Sequence, residues 1–406
     1  MGFLLRVHGI MGEKYSIMIK SILRFSSLVA VLVSLSGCTL TPPKIGGGAS
    51  TGGGDTAFNT ASSPGSIWRS DDGGKTFTPK TFVDEKRKLT KADVLAISFL
   101  QRDDNRQQAE ELRRTPDIFV GTVDDMIFKT GDGAEVWQPV NFPPQKVYSF
   151  IASRRSVDRM YATGVVGERG KIFRTTDGGE TWQDVYSEPG SGSSLPTLAE
   201  HPTNVNILYA GTSTGTVVKS MDGGDTWKNV GAKVDGPIIT IAFDAKDPNL
   251  MYLLAFNAKA YVSLDAGETW GDWTKVLEEE RKKNPSAVPV ATVPPQGLVS
   301  LVADPYISGT IYAGTKTGLY RSRDSVKTWE KINIIESAEK FPIRAFAVNP
   351  KNSNEIIFVA GRALYKSLNA GETWSVNMLG IDREVSVITY DPVYPETIYL
   401  GLRKMK

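Results

Sequence analysis

A nine-residue pattern recurs along the chain and limits what the chain can fold into. Its clearest copy runs from Lys219 to Trp227 (KSMDGGDTW). Six further copies, two of them degraded, span residues 69–77, 129–137, 174–182, 262–270, 321–329 and 366–374. The Ser or Thr near the start of successive copies is separated by 60, 45, 45, 43, 59 and 45 residues. A period of about 40–50 residues predicts a repeat architecture, and a propeller where each period holds several short strands.

Each copy carries residues that suit a tight turn between two strands. An Asp carboxylate can accept hydrogen bonds from nearby backbone amides, and the glycines after it adopt positive φ. The Ser or Thr two residues earlier can add a second side-chain bond. Tryptophan ends six of the seven copies, which predicts that the indole packs between neighbouring sheets. The residues for which we predict this structural role in the turn are Asp72, Asp132, Asp177, Asp222, Asp265, Asp324 and Asn369.

The pattern, S/T-x-D-x-G-x-T-W, resembles the Asp-box, or BNR repeat, of sialidases, sortilin-type receptor domains, certain glucanases and the photosystem II stability and assembly factors. The resemblance covers about residues 65–402 and implies a β-propeller, although unrelated activities share that fold. In overall plan the chain is similar to the photosystem II assembly factors, whose seven-bladed rings are lipid-anchored in cyanobacteria. Strands such as Ile311 to Thr315 (IYAGT) look more like sortilin-type repeats.

Two further strand patterns lie between successive copies. One alternates in hydrophobicity and ends at a turn, as in Ile238 to Pro248, and the other is aromatic and β-branched, as in Leu208 to Thr212 (LYAGT). Each unit is therefore four strands, A to D, and the repeated turn joins C to D. We predict an all-β, seven-bladed β-propeller with four-stranded blades over residues 65–406. Pairing of the N-terminal C and D strands (66–82) with the C-terminal A and B strands (385–402) closes the ring and removes two open sheet edges.

The first residues indicate targeting. Lys20 and Arg24 precede an apolar run that leads into Leu35-Ser36-Gly37-Cys38. This order of charged, apolar and small residues predicts a signal peptide over residues 1–37, with Met18 as a plausible true start. Its end resembles a bacterial lipobox, which implies that Cys38 is lipidated. Residues 38–64 are rich in Gly, Ser, Thr and Pro and predict a flexible tether.

These features predict a body held outside the cytoplasm, on the extracytoplasmic side of a bacterial membrane. If the cell has two membranes, Thr39 in place of Asp after the lipidated residue favours the outer one by family analogy. Without the leader the chain carries 43 Lys and Arg against 44 Asp and Glu. This balance gives no reason to expect a nucleic-acid partner.

Two insertions interrupt the period. Residues 100–116 lengthen an A–B connection on the same side of the ring as the repeated turns; they are polar and helix-prone. Residues 275–297 lengthen a D–A connection on the opposite side. This second insertion is interpreted either as an arm that binds a partner or as a mobile flap, since loops of this length are commonly functional or disordered.

The sequence offers few parts for catalysis. Cys38 is the only cysteine, and His201, the one histidine beyond the leader, occupies a position where other repeats have Asp-Pro or Asn-Pro. We interpret His201 as a turn residue, and no metal site, Gly-rich phosphate loop or cofactor is predicted. The Arg-Ile-Pro motif of sialidases is absent. Glycosidases need two facing carboxylates, but Asp244, Asp304 and Asp391 lie at strand-A ends, where turn chemistry explains them.

The candidates for ligand binding lie on the face opposite the repeated turns, in B–C loops and at the starts of A strands. Arginines are frequent among them, and the planar guanidinium suits recognition of carboxylates and proteins. The candidates are Glu168, Arg169, Lys259, Lys316, Arg344, Arg362, Arg383 and Glu384.

The functional hypothesis is a lipid-anchored propeller that binds an unidentified protein or membrane complex as a scaffold or assembly factor. The alternative is a surface carbohydrate-active protein, either a glycosidase or a glycan-binding module. A broad Arg-rich rim would favour the first, and two facing carboxylates with flanking aromatic residues would favour the second.

Overall fold

The strand patterns of the sequence form regular antiparallel sheets in the computed structural model. The residues it describes are 65–100, 116–123, 126–144, 146–153, 156, 158–231, 233–283, 295–335 and 337–404. The proposed signal peptide, lipidation site and tether (1–64), the insertion at 101–115 and residues 284–294 lie outside the described residues.

The described residues form seven four-stranded sheets, or blades. Blade 1 combines both ends of the described chain and contains β1 (Ile67–Ser70), β2 (Thr78–Pro79), β27 (Glu384–Tyr390) and β28 (Ile398–Arg403). Blades 2 and 3 contain β3 (Val94–Leu100), β4 (Asp117–Thr122), β5 (Ile127–Thr130), β6 (Gln138–Val140), β7 (Ser149–Ala152), β8 (Met160–Val166), β9 (Arg169–Thr175) and β10 (Gln183–Ser187).

The remaining blades follow in chain order. Blades 4 and 5 contain β11 (Thr197–Glu200), β12 (Leu208–Gly211), β13 (Val217–Ser220), β14 (Lys228–Val230), β15 (Ile238–Phe243), β16 (Met251–Ala255), β17 (Ala260–Ser263) and β18 (Gly271–Asp272), followed by helix α1 (Trp273–Lys283). Blades 6 and 7 contain β19 (Leu298–Ala303), β20 (Ile311–Thr315), β21 (Leu319–Ser322), β22 (Glu330–Ile332), a 3-10 turn (Ala338–Lys340), β23 (Ala345–Asn349), β24 (Asn352–Ala360), β25 (Ala363–Ser367) and β26 (Ser375–Met378).

The A strands of neighbouring blades lie side by side around a closed ring, from β27 in blade 1 through β3 to β23 and back to β27. The ring closes within blade 1, where β1 pairs with β28 in the register Ile67↔Gly401 to Ser70↔Ile398. The predicted seven-bladed propeller, its four-stranded blades and its closure by the two chain ends are therefore confirmed.

Apolar side chains fill the space between blades rather than one central core. Each of the seven hydrophobic clusters combines residues of two neighbouring blades. The tryptophan that ends a repeat packs in such a cluster; Trp137, for example, is fully buried with Ile67 and Tyr399 of blade 1. The predicted packing role of the indole is confirmed. Such burial is the main stabilising term, at about 25 cal/mol per Å² of apolar surface.

The repeated turns join strand C to strand D in every blade and share one hydrogen-bond pattern. In blade 4, Ser220 Oγ donates to Asp222 Oδ1 at 2.7 Å and accepts from the Gly224 N–H at 2.8 Å. Asp222 accepts from the N–H and hydroxyl of Thr226 at 2.9 and 2.5 Å. These bonds, first that from the Thr226 hydroxyl, lower the pKa of Asp222 to about 2. Gly224 has φ of 92°, which is open to glycine without steric cost.

Antiparallel strands place successive connections at alternating ends of each blade. The C–D turns and A–B connections therefore share one side of the ring, here called the repeat face. The B–C turns and D–A connections share the other side, here called the opposite face. This division decides which side chains can act together.

Candidate functional site

The structure places all eight predicted ligand-binding residues on the opposite face, but in different blades. B–C turns or their edges carry Glu168 and Arg169 in blade 3, Lys259 in blade 5, Lys316 in blade 6 and Arg362 in blade 7. Arg344 precedes β23, and Arg383 and Glu384 lie at the start of β27. The surroundings of these side chains differ and decide what each can bind.

The side chain of Arg383 is largely buried and forms hydrogen bonds where the two ends of the described chain meet. Its guanidinium donates to Ser66 Oγ at 2.7 Å and to the Ala92 carbonyl at 2.9 Å, and it forms an ion pair with Asp93. The side chain is only 11% exposed. Arg383 therefore ties the C-terminal A strand to the first residues of the described chain and to the connection into blade 2, and its charge is already neutralised.

Glu384 and Arg344 form a second network beside that closure. Glu384 accepts from Arg344 Nη1 at 2.8 Å and from both Nε and Nη2 of Arg403 at 3.0 and 2.9 Å. The carboxylate therefore has two cationic partners. Exposed pairs of this kind add about 0–1 kcal/mol to stability, so the network leaves Arg344 able to exchange partners.

Two of the predicted residues, Lys316 in blade 6 and Arg362 in blade 7, are exposed cations. No ion pair or side-chain hydrogen bond joins either group to another described residue. Lys259, in blade 5, pairs with Asp235 at 2.8 Å, and both side chains are at least half exposed. A solvated pair of this kind is readily opened.

The opposite face also carries exposed aromatic residues. Phe256 follows β16 beside Lys259, and Phe341 precedes β23; about half of each side chain is exposed. The ring of Phe341 lies over Gly361, which precedes Arg362: a Cβ atom added to this glycine would lie only 3.3 to 3.4 Å from the ring. We call Phe256, Lys259, Lys316, Phe341 and Arg362 the basic-aromatic patch. It combines the two features that are enriched at protein interfaces, aromatic surface and cationic groups.

The sequence predicted the cations of this patch as ligand-binding candidates, but it did not predict a role for its aromatic residues. The signal was present, because Phe256 stands in a B–C turn where blades 4, 6 and 7 have small or polar residues, such as Thr214, Lys316 and Gly361. A large apolar residue in a tight, exposed turn has no packing role there, which makes it a candidate for contact with a partner.

The structure describes part of the insertion at 275–297. Its first part is helical: α1 begins at Trp273 and ends at Lys283. Asp272 Oδ1 accepts from the Thr274 N–H at 3.0 Å at the start of the helix, and Trp273 packs edge-on against Trp329 at 4.9 Å. The first turn of this helix is therefore attached to the propeller, and the role of the insertion as a partner-binding arm or a mobile flap stays a prediction.

The strand-A ends confirm the structural interpretation of their polar residues. Asp244 accepts from the N–H groups of Lys246 and Asp247 at 3.0 Å and from Ser308 Oγ of the next blade at 2.6 Å. Asp304 and Asp391 accept from turn amides in the same way. His201 Nδ1 takes the equivalent role, accepting from two turn N–H groups at 3.1 and 3.3 Å.

One carboxyl group of the opposite face has an altered proton affinity. Glu188 follows β10, is 5% exposed and accepts a hydrogen bond from Tyr186 Oη at 2.7 Å. Burial raises its pKa, and the tyrosine bond opposes that rise. One carboxyl group of this kind does not make a hydrolytic pair, which needs two carboxyl groups that face each other.

A cavity of about 420 Å³ opens on the repeat face between blades 7 and 1. Most of the residues that line it are polar or charged, and the full set is Asp72, Gly73, Asn349, Asn352, Glu355, Lys366, Pro395 and Glu396. Glu355 pairs with Lys366 at 2.6 Å and accepts from Asn349 Nδ2 at 3.0 Å, while Asp72 holds the turn amides of blade 1. Two of the three carboxylates thus have structural partners, and Glu396 completes the wall.

Neither a metal-binding cluster nor a membrane-spanning helix is seen within the described ranges. No group of three or more His, Cys, Asp or Glu side chains is placed there to hold a metal ion. No helix among those residues is long and apolar enough to cross a membrane.

No protein-family model and no curated protein matches this chain. Solved structures of two kinds share its fold. The GH74 xyloglucanase from Xanthomonas campestris matches with a TM-score of 0.57 and 16% identity over 77% of this chain and 51% of that chain. This chain thus spans about half the length of that enzyme.

The second kind of match is YCF48. YCF48 from Cyanidioschyzon merolae matches with a TM-score of 0.55 and 15% identity over 77% of this chain and 95% of that chain. YCF48 bound to a D1 peptide matches with the same TM-score and 14% identity, over 77% and 94%. At these identities, the likeness to the GH74 enzymes and to YCF48 shows the fold alone.

Proposed function

We propose that the protein is a lipid-anchored, extracytoplasmic scaffold or assembly factor that binds another protein through its opposite face. The observation that carries this proposal is the basic-aromatic patch, in which unneutralised Lys316 and Arg362 lie on the same face as exposed Phe256 and Phe341. Anchors that combine aromatic surface with cationic groups contribute most of the binding energy in many interfaces.

The direction in which the chain enters the ring supports the same face. Gly65 and Ser66 precede β1, a C strand that runs from the opposite face to the repeat face. A tether that leads from Cys38 to Gly65 would therefore join the ring on the side of the patch. A lipid on Cys38 would hold this side near the membrane, where a membrane complex could be reached. A YCF48 structure holds a D1 peptide, so a propeller of this fold can bind a peptide.

The test is in-cell crosslinking of the tagged protein, affinity purification and mass spectrometry. A single reproducible partner is expected with the parent chain. The double variant Lys316→Ala and Arg362→Ala should reduce its recovery at least about tenfold, because each desolvated cation in an interface contributes about 1–2 kcal/mol. The matched control removes two exposed cations of the repeat face, Lys246 and Lys327, and should leave recovery unchanged.

No partner above background with the parent chain would contradict the proposal. Equal loss of the partner in the repeat-face control would contradict the choice of face, because it would indicate dependence on overall charge alone.

The second candidate is a carbohydrate-active protein, and the repeat-face cavity favours it. Its volume of about 420 Å³ and polar wall with Glu355 and Glu396 could hold part of a sugar chain. The likeness to GH74 enzymes makes xyloglucan oligosaccharides the first probe. Release of reducing sugar, or binding on a glycan array, that is lost in Glu355→Gln and Glu396→Gln would support this candidate. Its absence at high protein concentration would remove it.

A further inference from the structure

The outermost strand of each blade leaves a sheet edge open, and most blades protect that edge. An open edge pairs readily with another chain unless proline, charge, a bulge or a cover prevents it. The decisive position is the second residue after the Trp or Phe that ends the repeated turn. From blade 1 to blade 7 it is occupied by Pro79, Pro139, Asp184, Asn229, Asp272, Lys331 and Val376. Only blade 7 has an apolar residue with an N–H at this position. In blade 5, helix α1 follows the outermost strand directly.

The register of β26 shows which of its backbone groups face outward. It pairs with β25 in the register Ala363↔Met378 to Lys366↔Ser375. The Leu379 N–H donates to the Arg362 carbonyl at 2.8 Å, so Leu379 belongs to a hydrogen-bonded pair. Because such pairs alternate with non-bonded ones in antiparallel sheets, the N–H and C=O groups of Val376 and Met378 point away from the blade. No hydrogen bond from another described residue reaches them.

The side chains beside this edge are apolar and exposed. Val376 is 45% and Met378 71% exposed, and they lie on the same side of the sheet because they are two residues apart. Asn377, on the other side, donates to the Gly74 carbonyl of blade 1 at 2.9 Å. Trp374 Nε1, two residues before Val376, donates to the Asn333 carbonyl of blade 6 at 2.9 Å.

The edge continues into the basic-aromatic patch. The bond from Leu379 to Arg362 places the end of β26 beside the B–C turn of blade 7. Phe341 covers Gly361 in that turn. A chain that pairs with β26 would therefore reach a cation and an aromatic ring at one end.

We infer that blade 7 binds an extended segment of a partner protein as a fifth strand along β26. The segment has apolar residues at alternate positions, which pack on Val376 and Met378, and an acidic residue at the end near Arg362. Main-chain bonds supply affinity and alternate side chains supply specificity, as in other cases of strand addition. This inference rests on the proposed protein-binding function and names the form of the partner.

A second copy of the chain is the other possible occupant of an open edge. Pairing of β26 with itself would join strands of only four residues, about 13 Å long. Stable interfaces bury about 1,200 Å² or more, which a contact of this length does not provide. A segment of a partner protein can bury more surface than these four residues allow, because it can continue from β26 across the basic-aromatic patch.

The test measures strand addition directly on the full chain. Three capped octapeptides serve as probes; in each, threonine alternates with valine, isoleucine or tyrosine between terminal glutamates. Hydrogen–deuterium exchange with mass spectrometry follows the segment 375–379 with and without each peptide. At least one peptide should slow exchange of two amides there, those of Val376 and Met378, and leave the segment around Pro79 unchanged.

Val376→Pro removes the outward N–H and should weaken peptide binding at least tenfold. Blades 1 and 2 carry proline at the equivalent position, so the variant is expected to fold. Val376→Thr keeps the N–H and the branched shape and is the matched control, with binding within about threefold of the parent. Met378→Lys, which places a charge on the edge, is a second disrupting variant.

Three results would overturn the inference. They are the absence of protection at 376 and 378 with all three peptides, equal binding by Val376→Pro, and a concentration-dependent dimer that Val376→Pro abolishes. If the crosslinked partner is still captured by Val376→Pro but lost with the patch variant, the proposed function stands and strand addition fails. If no partner is captured while the peptides protect the edge, strand addition stands and the proposed function fails.

Discussion

At the scale of single residues, one hydroxyl organises each repeated turn. Ser220 Oγ donates to Asp222 and accepts from a backbone N–H four residues after it, and the same pair of bonds recurs at Thr175 and Ser263. The two residues after the acidic one both have positive φ in every copy. These bonds are local, so a nine-residue sequence pattern was sufficient to predict them.

Ser220→Ala should reduce the free energy of unfolding by about 1–3 kcal/mol, because the buried Gly224 N–H loses its acceptor. Denaturant unfolding measures the change. Ser220→Thr is the control and should stay within about 0.5 kcal/mol, since Thr175 makes the same bonds in blade 3. Equal loss in both variants would show that packing around the side chain, and not the hydroxyl, stabilises the turn.

His201 gives the protein a pH-sensitive turn. Burial, and then the Lys219 ammonium, lower the pKa of His201 from its ordinary value, and Nδ1 must stay unprotonated to accept the turn amides. The unfolded chain therefore binds more protons than the folded one as the pH falls. This contribution to stability is complete above the unfolded pKa of about 6.5 and is lost below it, toward the folded pKa.

The parent chain should therefore lose more stability between about pH 7.5 and about pH 5.5 than the variant His201→Asn, because this window spans the unfolded pKa. Asparagine does not titrate, and Asn349 accepts a turn amide at the equivalent position of blade 7. The comparison of denaturation midpoints at the two pH values isolates the histidine from the carboxylates. The same loss in both proteins would contradict the assignment.

At the scale of strands and turns, a basic residue links each of several blades to the next. The residue before the Ser or Thr of the turn donates to a main-chain carbonyl in the turn of the following blade. The bonds are Arg69 to Gly133, Arg174 to Gly223, Lys219 to Ala266, Arg321 to Ala370 and Lys366 to Gly73. The sequence contains this signal, because six of seven copies begin with Lys or Arg. Its role depends on the spacing of blades, which no single copy reveals.

Arg383 performs the corresponding task at the ring closure. Arg383→Ala should lower the free energy of unfolding by about 2–3 kcal/mol, because charge-assisted bonds to Ser66, Ala92 and Asp93 are lost together. Arg344→Ala, which removes an exposed pair with Glu384, is the control and should cost at most about 1 kcal/mol. Denaturant unfolding compares them; equal effects would show that Arg383 has no special part in closure.

Helix α1 marks the limit of pattern reasoning at this scale. The length of the insertion predicted an arm or a flap, and it did not predict a helix. The first turn of the helix is held by Trp273, which packs on Trp329 of the next blade. That contact joins residues 56 positions apart, so a local pattern could not indicate it.

At the scale of the whole molecule, the ring separates two surfaces. The repeat face carries the shared geometry of the turns and the polar cavity between blades 7 and 1. The opposite face carries the basic-aromatic patch and the entry of the chain at Gly65. A lipid anchor upstream of Gly65 would act on the molecule as a whole, because it sets which face meets the membrane.

Cys38→Ala should move the protein from the membrane fraction to the soluble extracytoplasmic fraction. The variant loses the proposed lipid, and acyl chains provide about 0.8 kcal/mol of membrane affinity per buried CH₂. Fractionation and metabolic labelling with a fatty acid measure both consequences. The patch variant Lys316→Ala with Arg362→Ala keeps Cys38 and should stay in the membrane fraction; retention of Cys38→Ala there would contradict the anchor.

The sequence by itself determined the turns, the number of blades and the closure of the ring, because a hydrogen-bond pattern and a period of about 45 residues are properties of neighbouring residues. It also placed eight candidate residues on one face, since alternation of antiparallel connections follows from strand order. Only the tertiary structure decided that Arg383 is occupied while Lys316 and Arg362 are not, that Phe341 covers the turn beside Arg362, and that β26 keeps an unprotected apolar edge. These features depend on which side chains meet across blades, and that is set by the three-dimensional spacing of the ring.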